Sequence, residues 1–143
     1  MEIPEDLYRK IVRLMPIVCV DLLIKDRTGR FLLLKRNNQP AKDQWWFPGG
    51  RVHMNESFLE AVRRKAIQEC GLTLCGDPIS MGFFELFFDE GDINYHSVTN
   101  LFATTVDECP RITLDSQSKE FKWVELAEMK NLDLHEFICN AIL

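Results

Sequence analysis

One stretch of this chain, Pro48 to Leu72 (PGGRVHMNESFLEAVRRKAIQECGL), concentrates residue types that bind cations and phosphates. Gly49 and Gly50 allow a tight turn that leaves a backbone carbonyl free to face a cation. Arg51 and Arg64 carry planar guanidinium forks, which donate paired hydrogen bonds to phosphate. No Gly or Pro interrupts Glu56 to Cys70, so a helix is expected there. Asn55 is its expected N-cap and Gly71 the left-handed residue that ends it. At about 100° per residue, Phe58, Leu59, Val62, Ala66 and Cys70 share one apolar stripe, and Glu69 projects into it. A carboxylate there is paired or metal-bound, because an isolated buried charge is too costly. Lys65, one turn earlier, is the structural partner; a metal ion at the edge of the core is the chemical one.

A second acid calls for the same reasoning. Asp21 interrupts the apolar run Ile17 to Ile24, where it needs a hydrogen-bond donor, an arginine or a ligand. Asp26-Arg27-Thr28-Gly29 is a turn signal, and Phe31 to Lys35 the returning strand, so the segment is a hairpin. Arg36 follows and reads as a strand-end surface residue. Trp45, Trp46 and Phe47 lead into the glycine turn; core packing is favoured over nucleotide stacking.

The remaining elements follow in order. Residues 4–14 predict a short amphipathic helix with Leu7, Ile11 and Leu14 on one face and Tyr8 beside them. Strands are expected at Ile79 to Phe88, Tyr95 to Val106 and Glu120 to Val124. Polar loops fall at 89–94 and 115–118, and a turn at Glu108 to Pro110. A helical region from Leu126 to Ile142 is interrupted near Asn131. Pattern alone gives α plus β, in one domain spanning residues 1–143.

Composition narrows the function. The chain is 46% hydrophobic and 27% charged, as expected of a soluble globular protein. A net charge of −5 argues against a nucleic-acid partner, while a small nucleotide needs only local positive charge. Five cysteines, at 19, 70, 75, 109 and 139, show neither a CxxC pair nor zinc spacing, which suits a reducing, cytoplasmic compartment. Asp21 breaks the longest apolar run, so no membrane partner is expected, and no leader pattern is visible.

The Pro48 to Leu72 stretch resembles the Nudix box, G-x5-E-x7-R-E-U-x-E-E-x-G-U, with U a bulky aliphatic. Gly50, Glu56, Arg64, Glu69, Gly71 and Leu72 stand in register. Lys65 stands where the family has Glu, Gln68 replaces the first of the Glu pair, and Ala66 is a small U. Glu69 is then the only acid of that cluster, enough for one Mg²⁺ and not two. That loss is similar to the GDP-mannose mannosyl hydrolase subfamily. The similarity extends over roughly residues 5–125, through PIVCVDLLI, GRFLLLKRNNQPAKDQWWFPGGRV and FKW.

The resemblance implies an α/β/α Nudix fold, a mixed sheet between helices. It also implies a homodimer to which the N-terminal helix contributes. A small-molecule nucleotide-sugar substrate would be hydrolysed with Mg²⁺ held by Gly49, Glu69 and Gln117. Arg36, Arg51 and Arg64 would act on the diphosphate as catalytic residues, and Asp21, Arg36 and Arg51 would bind substrate. Three departures bear on chemistry. Ser118 stands where the subfamily has its histidine base, Leu86 where a histidine contacts the sugar, and Ser97 where an aromatic ring stacks on guanine. His96, Glu120, Asp89 and Glu90 are candidate replacement bases; His135 is expected at the surface. Three readings stay open: a GDP-sugar hydrolase, a Nudix pyrophosphatase on another nucleoside diphosphate derivative, and a nucleotide-sugar-binding module of little turnover.

Overall fold

The computed structural model describes residues 2–107 and 110–143. The turn expected at 108–110 falls on Glu108 and Cys109, which lie outside the described residues.

Seven strands make one mixed sheet between helices. They are β1 (Ile17–Asp26), β2 (Phe31–Arg36), β3 (Trp45–Trp46), β4 (Gly49–Arg51), β5 (Ile79–Asp89), β6 (Asn94–Val106) and β7 (Ser118–Val124). The main path runs β3-β2-β1-β6-β5, with β4 on β1 and β7 on β2. β1 lies parallel to β6 from Ile17↔Ser97 to Asp26↔Val106. Its other edge pairs with β4 at one end and meets β2 at the other, Lys25↔Phe31. The predicted hairpin is present, and Asp26 closes it by accepting from the backbone N–H groups of Thr28 and Arg30.

β1 is buried on both faces over Val20–Ile24, which explains why apolar residues run there without alternation, broken only by Asp21. Val20, Leu22 and Ile24 face one cluster with Leu32, Leu34, Ala61, Val62, Ala66 and Cys70. Leu23 faces another with Leu33, Trp46, Phe47, Leu101, Phe137 and Ile138. Trp46 and Phe47 are therefore core residues, as expected. The C-terminal region is a 3₁₀ turn at Leu126–Asn131 followed by the helix α3 (Glu136–Ile142).

The helix of the glycine-flanked stretch differs from expectation in three ways. It is α2 (Phe58–Lys65), continued by a π-helical turn at Ala66–Cys70. Its N-cap is Ser57, not Asn55. Ser57 accepts from the Glu60 N–H while Glu60 accepts from the Ser57 N–H, a reciprocal capping box, and Asn55 stands outside it with φ 63°. Ala61, rather than Leu59, fills the buried stripe. Gly71 ends the element with φ 68°, as predicted.

The helix α1 (Glu5–Leu14) also turns a different face inward. Val12 is buried with Tyr8 and Ile11 beside it, whereas Leu7 and Leu14 stay exposed, Leu14 at 83%. No helix among the described residues is long and apolar enough to cross a membrane.

Because α2 is only eight residues long, its start depends on the reciprocal cap. Ser57→Ala should lower stability by about 1 kcal/mol, read as a drop in urea midpoint at unchanged slope.

Candidate active site

The site is built around Gly49. β4 pairs with β1 so that Asp21 opposes Gly49 and Cys19 opposes Arg51. A Cβ at position 49 would lie 2.3 Å from the Val20 carbonyl oxygen and 2.6 Å from Asp21 Oδ1, so only glycine fits this approach. The Gly49 N–H donates to Glu69 Oε2 at 2.9 Å. One glycine thus stands between two buried carboxylates.

On the Asp21 side lies a cavity of about 70 Å³. Asp21, Arg36, Ser97 and Thr99 give it polar atoms; Trp46, Leu86 and Phe88 give it apolar walls. Asp21 is 6% exposed and accepts from the Thr99 hydroxyl at 2.7 Å. Burial pushes its carboxyl up to about 7, against the opposing pull of Thr99 and the Arg36 guanidinium. Arg36 Nε donates to the Pro40 carbonyl at 2.7 Å, which fixes the guanidinium beside the cavity. Cys19 also lines it. Burial, then the Asp21 charge, pushes its thiol up to about 12, so it is a neutral wall group and not a nucleophile.

Beyond the glycine turn runs an open groove of about 330 Å³, whose lining includes Glu2, Tyr8, Arg51, Arg64, Lys65 and Gln117. Arg64 is a structural clamp within it. Its guanidinium donates to both Glu56 oxygens, at 2.6 and 2.9 Å, to the Arg51 carbonyl at 3.0 Å and to Gln68 Oε1 at 3.1 Å. Those bonds tie α2 to β4 and hold Glu56 down at about 2. Glu56 is thus the ion partner of Arg64.

Glu69 is 5% exposed. Besides Gly49 it meets Lys65 Nζ at 3.3 Å, so the structural partner foreseen one turn earlier is present. Burial raises the Glu69 carboxyl, Lys65 opposes the rise, and the nearby charge of Asp115 adds to it. Gln117 stands at the groove, with its Oε1 accepting from Asn38 Nδ2 at 2.7 Å.

Nudix hydrolases generally use divalent metals such as Mg²⁺. Among the described residues no three His, Cys, Asp or Glu side chains gather into a metal cluster. The donors here suit one ion at most: the Glu69 carboxylate, the Gln117 amide oxygen and the Gly49 carbonyl are hard oxygen ligands. An ion at Glu69 would share that carboxylate with, or displace, Lys65.

Other candidates are placed elsewhere. His96 stacks on Phe87 and meets Glu85 on the outer edge of the sheet, lining neither cavity nor groove. Ser118 is buried in β7 opposite Arg36. Glu120 pairs with Lys35. Asp89 caps its own loop at Gly91. Glu90 accepts from the Ala41 N–H and so holds a segment that walls the cavity. His135, expected at the surface, is half-buried; its Nδ1 caps α3 and its ring packs on Trp46. Thr99 and Asp115 were not foreseen, since each meets the site across a long sequence separation and neither lies in a motif.

A sheet between helices, a glycine turn and a helix carrying a buried glutamate define a class of phosphate-ester and diphosphate hydrolases, and comparison with known proteins agrees. A family model described as NUDIX domain matches residues 15–140, and the chain belongs to the Nudix hydrolase family. It is 35% identical over 127 residues to the low-salt glycan biosynthesis protein Agl8 of Haloferax volcanii, covering 86% of this chain and 80% of that one. It is 40% identical over 67 residues to an ADP-ribose pyrophosphatase of Methanocaldococcus jannaschii, covering 47% of this chain and 39% of the other. The MutT protein of Methanosarcina mazei superposes with a TM-score of 0.76 at 27% identity, covering 90% of this chain and 92% of that one. The NUDIX domain of Shewanella oneidensis NrtR, solved with ADP ribose, also gives 0.76, at 18% identity over 98% and 95% of the two chains, a likeness of fold alone.

Asp21 carries a testable pH signature. Its folded value, about 7, lies above its ordinary 3.8, so the folded chain binds more protons between those pH values. Its contribution to stability is full below the lower value and is lost as pH rises through the upper one. Glu69 acts in the same direction, so the comparison must be made against a variant. Asp21→Asn should flatten the fall in unfolding free energy between about pH 4 and 7 and leave the variant more stable than the parent at pH 8. Urea titrations at several pH values read this; parallel pH curves would refute it.

Proposed function

We propose that the chain is a Mg²⁺-dependent hydrolase of a nucleoside diphosphate sugar, splitting a GDP-mannose-like substrate into nucleoside diphosphate and free sugar. The observation that carries this reading is the pairing of a small, mainly apolar cavity that holds Asp21 and Arg36 with a groove that presents Arg51 and Lys65, at the two ends of the glycine turn. A sugar ring offers hydroxyls that Asp21 can accept from and Arg36 can donate to. A diphosphate offers the charge that Arg51 answers with a two-pronged guanidinium. Arg64 then serves catalysis by holding Arg51 in place through its carbonyl. The name of the Haloferax relative, a glycan biosynthesis protein, agrees with a sugar-bearing substrate.

In the reaction a water oxygen bonds to the sugar C1 while the bond from C1 to the phosphate oxygen breaks. The electron pair leaves on the diphosphate, where cationic groups stabilise it, and the water proton passes to a base. Mg²⁺ on Gly49, Glu69 and Gln117 would supply Lewis-acid stabilisation of the leaving diphosphate. Asp21 faces the cavity with an affinity for protons suited to neutral pH and is the base that this geometry favours. The exposed Leu7, Leu14 and Met15 on and after α1 fit the homodimer, and the free thiols of Cys19, Cys70, Cys75 and Cys139 fit a reducing cytoplasm.

A second reading is attack at phosphorus, giving a pyrophosphatase, and Ser118 in place of the subfamily's histidine favours it. Incubation with a panel of nucleotide sugars and Mg²⁺ in ¹⁸O water separates the two. Label in the released sugar is expected; label in phosphate would establish the second, and no turnover with retained binding would leave a binding module. Arg51→Ala should lower kcat/KM about tenfold to a hundredfold, the worth of one charge-assisted hydrogen bond. Unchanged kinetics would remove Arg51 from the diphosphate site.

A further inference from the structure

Lys65 is placed unlike a surface lysine. Its side chain is 12% exposed and lies along α2 toward the glycine turn. Its Nζ is 3.3 Å from Glu69 Oε2, the same oxygen that accepts from Gly49. Its stem passes over Gly50 so closely that a Cβ there would come within 2.9 Å of Lys65 Cε and 3.1 Å of Nζ. The absence of a side chain at position 50 is what admits the ammonium. The charge of Asp115 adds a weaker repulsion on the same carboxylate. A buried acid and an ammonium therefore meet beside the glycine turn, and the lysine lines the groove.

We infer that Lys65 is the resident cation of this site: its ammonium holds the place beside Glu69 that a divalent ion would take, so that the free protein binds divalent metal weakly and the groove is cationic without it. This rests on the reading of the groove as a diphosphate site, but the lysine's effect on metal binding can be measured separately. The charge argument is direct. A divalent ion arriving at Glu69 meets a fixed positive charge at a few ångströms, a repulsion only partly screened at a buried position. Without that charge, the buried Glu69 carboxylate keeps only the Gly49 N–H as a partner, and a hard cation can take the place of the ammonium. An ammonium also has three donors, so Lys65 can keep Glu69 while turning a further N–H toward a phosphate oxygen in the groove.

The test uses Mn²⁺ as the probe, followed by electron paramagnetic resonance of the free ion and by calorimetry, with no activity readout. The parent should bind Mn²⁺ only weakly. Lys65→Met, which keeps the stem and removes the charge, should bind it at least about tenfold more tightly. Lys65→Arg should stay weak, and adding Glu69→Gln to Lys65→Met should reverse the gain. If Lys65→Met folds only when Mn²⁺ is present, seen as a metal-dependent unfolding temperature, the same conclusion follows. Tight Mn²⁺ binding by the parent, or equal affinity in parent and Lys65→Met, overturns it. A second arm measures GDP and ADP binding in EDTA. Binding by the parent that weakens in Lys65→Met supports the inference, and binding that needs Mn²⁺ overturns it. If neither nucleotide binds under any condition, the proposed function fails, and the Mn²⁺ comparison alone decides the role of Lys65.

Discussion

The constraint on which the rest of the site depends is the burial of Glu69. A carboxylate 5% exposed must be compensated at once, and here an N–H from Gly49 and an ammonium from Lys65 do it. The first of these reaches through a glycine that no other residue could replace, because Asp21 presses on its other side. The two acids are therefore coupled by geometry. Each is pushed up first by its own burial, and the Glu69 charge adds to the rise of Asp21. A change on the helix that moved Glu69 would shift the turn, and with it the cavity. The π-helical turn fits this demand: where the helix widens, Ala66, Glu69 and Cys70 are all buried on the sheet.

A second tie keeps the helix from taking that load alone. A helix of eight residues has little stability by itself, and α2 gains it from its cap, from Ala61 and Val62 in the core, and from the Arg64 clamp. The clamp is a bidentate ion pair with both partners mostly sheltered, the geometry in which such a pair contributes. Because the same guanidinium holds the Arg51 carbonyl, the loop from Arg51 to Glu56 is closed on itself. Arg51 therefore enters the groove from a fixed backbone, which lowers the ordering cost of binding an anion.

Much of this was legible in the sequence, for local reasons. The hairpin at Asp26 announces itself because aspartate, threonine and glycine each have a specific use in a turn. Gly71, the glycine pair, the long strands and the broken C-terminal helix are legible for similar reasons. The i,i+4 spacing of Lys65 and Glu69 signals their pairing, though not that it would be buried. The N-cap shows how two local signals compete. Asn55 is a good cap by residue type, but only Ser57 has a glutamate three positions on to return the bond. The face of α1 was misread because its register is set by Val12 packing near Ile17 and Ile93, which periodicity cannot see. Thr99 and Asp115 belong to the same category. Thr99 meets Asp21 across 78 residues, and only the parallel pairing of β1 with β6 brings them together.

The departures from the family pattern also make sense together as electrostatics. An acid-rich box needs divalent ions because its carboxylates cannot stay charged near one another without them. Here Gln68 removes one charge and Lys65 replaces another with its opposite, so the helix end approaches neutrality on its own. Glu56 is matched by Arg64 and Glu69 by Lys65, and Arg51 also lines the groove. A diphosphate entering such a groove meets protein cations from the outset. What it gives up is the stronger field of a multi-ion centre, which an ammonium of single charge cannot match. A leaving group already stabilised in isolation, such as a nucleoside diphosphate departing from a sugar carbon, requires less of that field than a phosphoryl group under attack. Under the proposed function, the thinned carboxylate set and the cavity at Asp21 would be two consequences of one choice of chemistry.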